Sequence, residues 1–511
     1  MLAKVNSASI HGLDGELVTV EVDISRGLPN IFIVGLPDAA VSEAKERVRS
    51  AIRNSALSFP PNSKVVVNLS PADTRKEGPG YDLPIALGVI MATGQVVADI
   101  EDAIVIGELA LDGAVRPVRG VLPMVAVARA RGVTRAFVPA ANAAEAALVS
   151  GVTVYAIDSI STLAAFLLGA PGLEPFVPDP TAETFTETYT GTDFADVVGQ
   201  EHAKRALEIA AAGGHNAIMR GPPGSGKTLL ARAMPSILPP MTDEESMEVT
   251  RIYSVAGLLP TGASLIRTRP FRSPHHTVSN AGLVGGGSIP RPGEVTLAHR
   301  GILFLDELPE FDPRILEVLR QPLEDRQVSI SRAKQNVTFP ANFSLIGSMN
   351  PCSCGWYGDP ERECTCPPQL VSRYQRRISG PLLDRVDVFI DVPRVPYEKL
   401  ANATRGEPSA AVVARVTEAR RVQHRRFAVA EGAAPRQNCD MTPPEVRDFC
   451  QALLAPGAAD ILNQAARRLV LSARSFHRVL KLSRTIADLS ESESIAAAHI
   501  AEALQYRERE S

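Results

Sequence analysis

The chain has 511 residues, a formal net charge of −4 and 45% hydrophobic residues, with a mean hydropathy of +0.02. That length suits roughly three domains and supplies a large core, and no apolar run approaches the ~20 residues needed to cross a bilayer. With a slightly acidic balance, any nucleic-acid binding has to come from local basic patches, and six cysteines in so long a chain do not form a disulfide scaffold.

The start, Met-Leu-Ala-Lys-Val-Asn-Ser, lacks the charged-then-apolar layout of a signal peptide, so a cytoplasmic protein is expected. Residues 1–170 alternate strand-like and helix-like stretches. Strands are predicted at 17–22, 30–34 and 64–69 from β-branched content and alternation, with helices at 40–54 and 81–93. Residues 104–109 and 113–118 read as a hairpin turning at Asp112-Gly113, followed by a helix at 124–131, a strand at 136–139 and a helix at 141–149. A Pro-rich, then Thr-rich stretch at 171–192 reads as a linker. A nucleotide-binding domain is expected over 193–396, and a mostly helical one over 397–511.

The chemistry is concentrated in the middle domain. Residues 221–228, Gly221-Pro222-Pro223-Gly224-Ser225-Gly226-Lys227-Thr228, match G-x-x-x-x-G-K-[ST]. Glycines permit the tight turn that aims backbone N–H groups at an anion. Lys227 supplies charge for the β/γ-phosphates, and Thr228 offers a hydroxyl to Mg²⁺. An apolar stretch precedes the motif and a helix-forming one follows it, so binding of ATP or GTP is expected. Downstream, the apolar run 302–305 ends in Asp306 and Glu307. Asp306 is suited to hold Mg²⁺ opposite Thr228, and Glu307 to polarise the attacking water. A further apolar strand, 343–349, ends in Asn350, whose amide would then stand near the γ-phosphate. Arg385 and Arg474 are candidates to neutralise charge on the transferred phosphoryl group, Arg385 from across a subunit boundary.

Two insertions stand out. Thr228 and Asp306 are 78 residues apart, more than one helix and one strand require, and the Gly/Pro-rich stretch 273–299 reads as a projecting loop or hairpin. Residues 327–339 form two alternating arms around a basic tip, the pattern of a β-hairpin. In a ring, Arg332 and Lys334 would face a pore and meet nucleic-acid phosphates without regard to sequence; ordinary surface charge is the alternative. The arginine-rich helix at 414–426 fits a solvated lid face or a subunit contact as well as it fits DNA. Cys352, Cys354, Cys364 and Cys366 follow C-x-C-x9-C-x-C within the loop 352–366. Four thiolates close a tetrahedral, structural Zn²⁺ site with no open position for water, unliganded thiols lining a loop being the other reading.

In this order the motifs resemble those of the AAA+ ATPases, and residues 198–207 resemble the adenine-side region of that family. Residues 271–277, 301–310, 350–355 and 379–387 carry a closer resemblance, covering nearly the whole chain, to the magnesium-chelatase-like ComM/YifB family. The resemblance implies an α/β fold with a three-layer α/β/α ATPase core and a C-terminal helical lid. It also implies ATP and Mg²⁺ as cofactors, Lys227, Thr228, Asp306 and Glu307 in the roles above, and Asn350 as a first sensor. Arg385 would be a finger offered to a neighbouring subunit, and Arg474 a second sensor reaching from the lid. A homo-hexameric motor on single-stranded or branched DNA, acting as a helicase or in branch migration with recombination or DNA-uptake proteins, is the implied function. A remodelling ATPase acting on a protein, as in the magnesium chelatase motor, is the alternative. Residues 76–86 and 107–113 resemble the Lon protease-like (ribosomal S5 domain 2-like) α/β fold. Gly80-Tyr81-Asp82 supplies no Ser nucleophile there, and the helix after Gly120 supplies no Lys base. Peptidase activity is therefore not expected.

Overall fold

The computed structural model describes residues 2–27, 29–178, 192–260, 265–287, 290–332, 335–396, 405–427 and 436–508. They form two compact units, one of residues 1–187 with 242–268, the other of 188–241 with 269–511. None of the described helices is long and apolar enough to cross a membrane.

The first unit is built on a seven-stranded sheet in the order β3-β4-β2-β1-β5-β8-β9. β1 (Leu2–His11) and β2 (Asp14–Arg26) form a long antiparallel hairpin, and β2 pairs antiparallel with β4 (Ser63–Ser70). β3 (Asn30–Val34) lies parallel to β4 at one edge. β5 (Ala103–Val105), β8 (Arg135–Pro139) and β9 (Thr153–Ile157) extend the other side in parallel. The helix Asp82–Ala92 is buried on every side. Gly88 lets it approach β2, because a Cβ there would lie 2.5 Å from Val22.

The first arm predicted at 104–109 is divided: Ile104 and Val105 belong to β5 of the large sheet, and only β6 (Glu108–Leu109) pairs with β7 (Val115–Arg116). Residues 104–109 read as one strand with Gly107 and Glu108 inside it, and alternation alone did not mark the break. The backbone leaves the sheet at Gly107, where a Cβ would lie 2.9 Å from Val115. The helix expected at 141–149 is shorter, Ala143–Ala146 after a 3₁₀ turn.

The excursion 242–268 contributes a helix, Asp243–Ala256, to this first unit. Thr242 and Glu245 cap its start reciprocally, and its end stops at Gly257 with φ 71°. Ser254 Oγ donates to Glu145 at 2.6 Å, Gly120 N–H to the Ser254 carbonyl at 3.0 Å, and Arg251 Nε to the Leu13 carbonyl at 2.8 Å.

The second unit carries a five-stranded parallel sheet in the order β11-β14-β17-β10-β18. β10 (Ala217–Arg220) lies between β17 (Ser344–Met349) and β18 (Val388–Asp391), and β14 (Ile302–Leu305) lies between β17 and β11 (Phe271–Arg272). The apolar residues of β10, β14 and β17 are buried, as expected of strands covered on both faces. Between β11 and β14, β12 (Gly285–Gly286) pairs with β13 (Arg291–Pro292) inside the 273–299 insertion. β15 (Gln327–Arg332) and β16 (Gln335–Pro340) form the predicted hairpin. Toward the C-terminus the helices Ser409–Phe427, Pro443–Phe449, Ala458–Arg468, Ala473–Leu489 and Ala497–Gln505 share one apolar core with the sheet and with helix Glu201–Gly213.

Candidate nucleotide site

Parallel strands end on the same side, and those ends assemble the site. Arg220 of β10 pairs with Met349 of β17, and Leu305 of β14 pairs with Gly347. The register therefore brings together the phosphate loop, Asp306-Glu307 and Asn350, at the strand ends where open α/β sheets bind ligands.

Within the loop the glycines serve different needs. A Cβ at Gly221 would sit 2.1 Å from the Val392 carbonyl oxygen, whereas Gly224 and Gly226 have open space but φ of 75° and 92°. Lys227 opens the helix Lys227–Ala233. Its Nζ donates to the carbonyls of Gly221 and Pro222 at 2.7 and 2.9 Å and to Asn350 Oδ1 at 3.3 Å. Burial lowers its pKa, while Asp306 and Glu307 oppose that shift. An ammonium held on weak neutral acceptors is poised to take anionic oxygens instead.

Thr228 Oγ1 donates to Asp306 Oδ2 at 2.9 Å. Neighbouring ligands of an octahedral Mg²⁺ with ~2.1 Å bonds stand about 3 Å apart, so this pair fits the ion expected with a nucleotide. Ser225 Oγ is buried with no hydrogen-bond partner among the described residues, an orphaned hydroxyl that a bound phosphate would satisfy. The other Asp306 oxygen accepts from Ser348 Oγ and from Glu307 N–H. Glu307 is exposed and holds φ at 52°, a strained conformation for a residue with a side chain. Ser348 is a site residue the sequence reading missed. Its signal was weak, a hydroxyl two positions before Asn350 inside an apolar strand.

On the other side of the loop, Gln200 Nε2 donates to the carbonyls of Ser225 at 3.1 Å and Pro393 at 2.5 Å. A cavity of about 940 Å³ opens there, lined by Gly199, Gln200, His202, Gly221, Pro222 and the residues following β18.

Arg385 and Arg474 meet on one carboxylate. Glu324 accepts from Arg385 Nη2 at one oxygen and from Arg474 Nη2 at 3.4 Å at the other. Glu324, which sequence reasoning did not single out, has its pKa lowered by the Arg385 hydrogen bond.

The expected basic hairpin is present with Arg332 opposite Gln335; Lys334 lies outside the described residues. Its Ile330 approaches the 273–299 insertion, lying 3.1 Å from where a Gly285 Cβ would be. In the helix Ser409–Phe427, Arg415, Arg420, Arg421 and Arg426 are engaged within the chain. Arg415 pairs with Glu208 and Glu407, Arg420 donates to the Ala211 carbonyl, Arg421 pairs with Glu418, and Arg426 with Asp488. The four cysteine sulfurs lie within 4.8 Å of one another. Backbone N–H groups of Tyr357 and Cys366 donate to Cys352 and Cys364 sulfur at 3.3 and 3.4 Å, and the Cys354 pKa is lowered to about 6, first by the Trp356 backbone N–H.

Family models agree with this geometry. Residues 193–400 match magnesium chelatase subunit ChlI, 20–142 match a second ChlI model, and 406–507 match the ChlI C-terminal model. The chain is 43% identical to the uncharacterized protein YifB of Salmonella typhimurium over 509 residues, covering 99% of this chain and 97% of the relative. It is 42% identical to the competence protein ComM of Haemophilus influenzae over 513 residues, again 99% and 97%. Lon protease 2 of Bacillus subtilis is 30% identical over 194 residues, 33% of this chain and 34% of the relative. With a phosphate loop, an Asp-Glu strand and an Asn strand converging in a parallel sheet, the chain belongs to the ComM/YifB family of magnesium-chelatase-like AAA+ ATPases.

Proposed function

We propose that this ATPase is a homo-hexameric DNA motor that moves on single-stranded or branched DNA, as a helicase or in branch migration during recombination or DNA uptake. The observation that carries the reading is the position of the β15–β16 hairpin in the chain. It is spliced between the strand bearing Asp306-Glu307 and the strand ending in Asn350. A change at the γ-phosphate therefore reaches the hairpin from both of its ends, and the basic residues Arg332 and Lys334 fall within its sequence. The Haemophilus influenzae relative is named a competence protein, which agrees with handling of incoming DNA.

In this reading Lys227 and the loop hold the phosphates, and Thr228 and Asp306 hold Mg²⁺. The ion, when bound, neutralises charge on the phosphates. Glu307 orients and deprotonates the attacking water, and Asn350 fixes its direction. Because Arg385 and Arg474 share Glu324, a boundary that presents one of them to a neighbouring subunit presents both. The cysteine loop holds a structural zinc ion: ~2.3 Å Zn–S bonds require sulfurs about 3.8 Å apart, close to the 3.3, 3.6 and 3.7 Å separations among Cys352, Cys354 and Cys364.

The test is ATP hydrolysis with and without single-stranded DNA, in wild type and in the Arg332→Glu, Lys334→Glu double variant. Stimulation by DNA that the double variant loses, together with ATP-dependent displacement of a branched substrate, is expected. Hydrolysis indifferent to DNA would sink the DNA reading and favour a protein-remodelling ATPase of the chelatase type.

A further inference from the structure

The cysteine loop adjoins the nucleotide site. Gly355, between the cysteine pairs, packs on the phosphate loop so closely that a Cβ would lie 2.5 Å from Pro223. Immediately after it, Trp356 carries the guanidiniums of both Arg362 and Arg394 over its ring, each 4.4 Å from the centroid. Arg394 belongs to the segment after β18, and it also approaches Asp359 and Glu361 of the loop at 3.9 and 3.7 Å. One residue earlier, the Pro393 carbonyl accepts from Gln200. Residues 357–361 line the 940 Å³ cavity together with Gly199, Gln200 and His202.

The hollow begins at Gly221 and Pro222 of the phosphate loop, which places it to take the base and ribose of a nucleotide whose phosphates sit in the loop. Tyr357 is 47% exposed and lines that hollow, so its ring is available to a purine face. The wall has little to hold its shape on its own. Between β17 and the helix Pro368–Gln375 there is no helix or strand, and Trp356 is the one large apolar side chain besides Tyr357 between Cys352 and Cys366. Small loops of this kind are ordered by metal rather than by a core. The sulfurs crowd within 4.8 Å, which suits one tetrahedral ion and is too tight for the cysteines of a multi-iron cluster.

We propose that the metal-bound cysteine loop is the closing wall of the base pocket, with Tyr357 as its base-contacting residue, so that a zinc ion held by Cys352, Cys354, Cys364 and Cys366 sets the affinity for adenine nucleotide. This rests on the ATPase assignment and on the zinc reading above, and adds a coupling between the two sites.

The test uses the full-length protein. Zinc content is measured alongside the affinity for a fluorescent ADP analogue in excess Mg²⁺, before and after treatment with a zinc-selective chelator and again after zinc is restored. Circular dichroism reports whether the fold survives. Loss of zinc is expected to weaken nucleotide binding about tenfold, and restored zinc to recover it. Tyr357→Ala should weaken binding by a similar factor with zinc content unchanged, which keeps the proposal testable if cysteine variants do not fold. Unchanged affinity in the folded, zinc-free protein, no effect of Tyr357→Ala, or a protein that takes up no zinc would each overturn it. Failure of the untreated holoprotein to bind any adenine nucleotide would instead refute the ATPase assignment.

Discussion

At the scale of single residues, a few short contacts decide the chemistry. Glu307 is exposed, strained and one position beyond a carboxylate already engaged by Thr228 and Ser348. Glu307→Gln is therefore expected to bind ATP normally while hydrolysis falls by at least about 10²-fold, the scale of a lost general base; single-turnover hydrolysis that stays within error of wild type would reassign the base. Glu324 is the group on which Arg385 and Arg474 converge. Its replacement by Ala should release both guanidiniums and lower kcat without changing ADP affinity, and a change confined to affinity would place these arginines elsewhere in the cycle. The phosphate loop was legible in the sequence because its chemistry is local, eight consecutive residues acting through their own backbone. Ser348 and Glu324 were not, since a serine in an apolar strand and a glutamate on a helix have meaning only through partners 42 and 61 residues away.

At the scale of elements, the helix Asp243–Ala256 docks on a buried polar group. Glu145 accepts from Ser254 Oγ and Asn142 Nδ2, each at 2.6 Å, and burial raises its pKa from an ordinary 4.5. A carboxyl whose folded pKa lies above its unfolded value binds its proton more tightly when folded. Its stabilising contribution is complete below the unfolded value and is lost as pH rises through the folded one. Thermal unfolding of Glu145→Gln should therefore gain on wild type as pH climbs from 4.5 toward neutrality; parallel curves would show that Glu145 does not titrate differently on folding. Glu145→Ala, which strands the Ser254 hydroxyl and one N–H of the Asn142 amide while the amide keeps its bonds to Val118, should cost about 1–3 kcal/mol per unpaired group, measured by denaturant unfolding. The strands β2, β3 and β4 were readable from alternation, and β14 and β15–β16 from apolar runs and a basic turn. The break between β5 and β6 was not, because Gly107 inside a strand pattern marks a bulge or a close approach as readily as an end of pairing.

At the scale of the whole molecule, the polypeptide passes between its two units three times, near 187, 241 and 268. The ATPase unit thus lends the other a helix from the interval between Thr228 and Asp306. With a net charge of −4, the proposed binding to DNA would rest on local cationic groups, and displaced counterions make such binding fall linearly in log–log form with salt. Affinity for single-stranded DNA should drop steeply between about 50 and 200 mM salt, and the Arg332→Glu, Lys334→Glu variant should show a shallower slope by about one to two units. A slope equal to that of wild type would remove the hairpin from the DNA contact. The sequence by itself determined the phosphate loop, the carboxylate pair, the Asn strand, the cysteine spacing and the α/β class, because each is written in neighbouring residues or a fixed period. Only the tertiary structure decided that 242–268 belongs to the first unit, that two distant arginines share Glu324, and that the cysteine loop borders the cavity beside the phosphate loop. Those facts depend on register and packing between segments far apart in the chain, where burial and charge pairing, rather than local pattern, choose the partner.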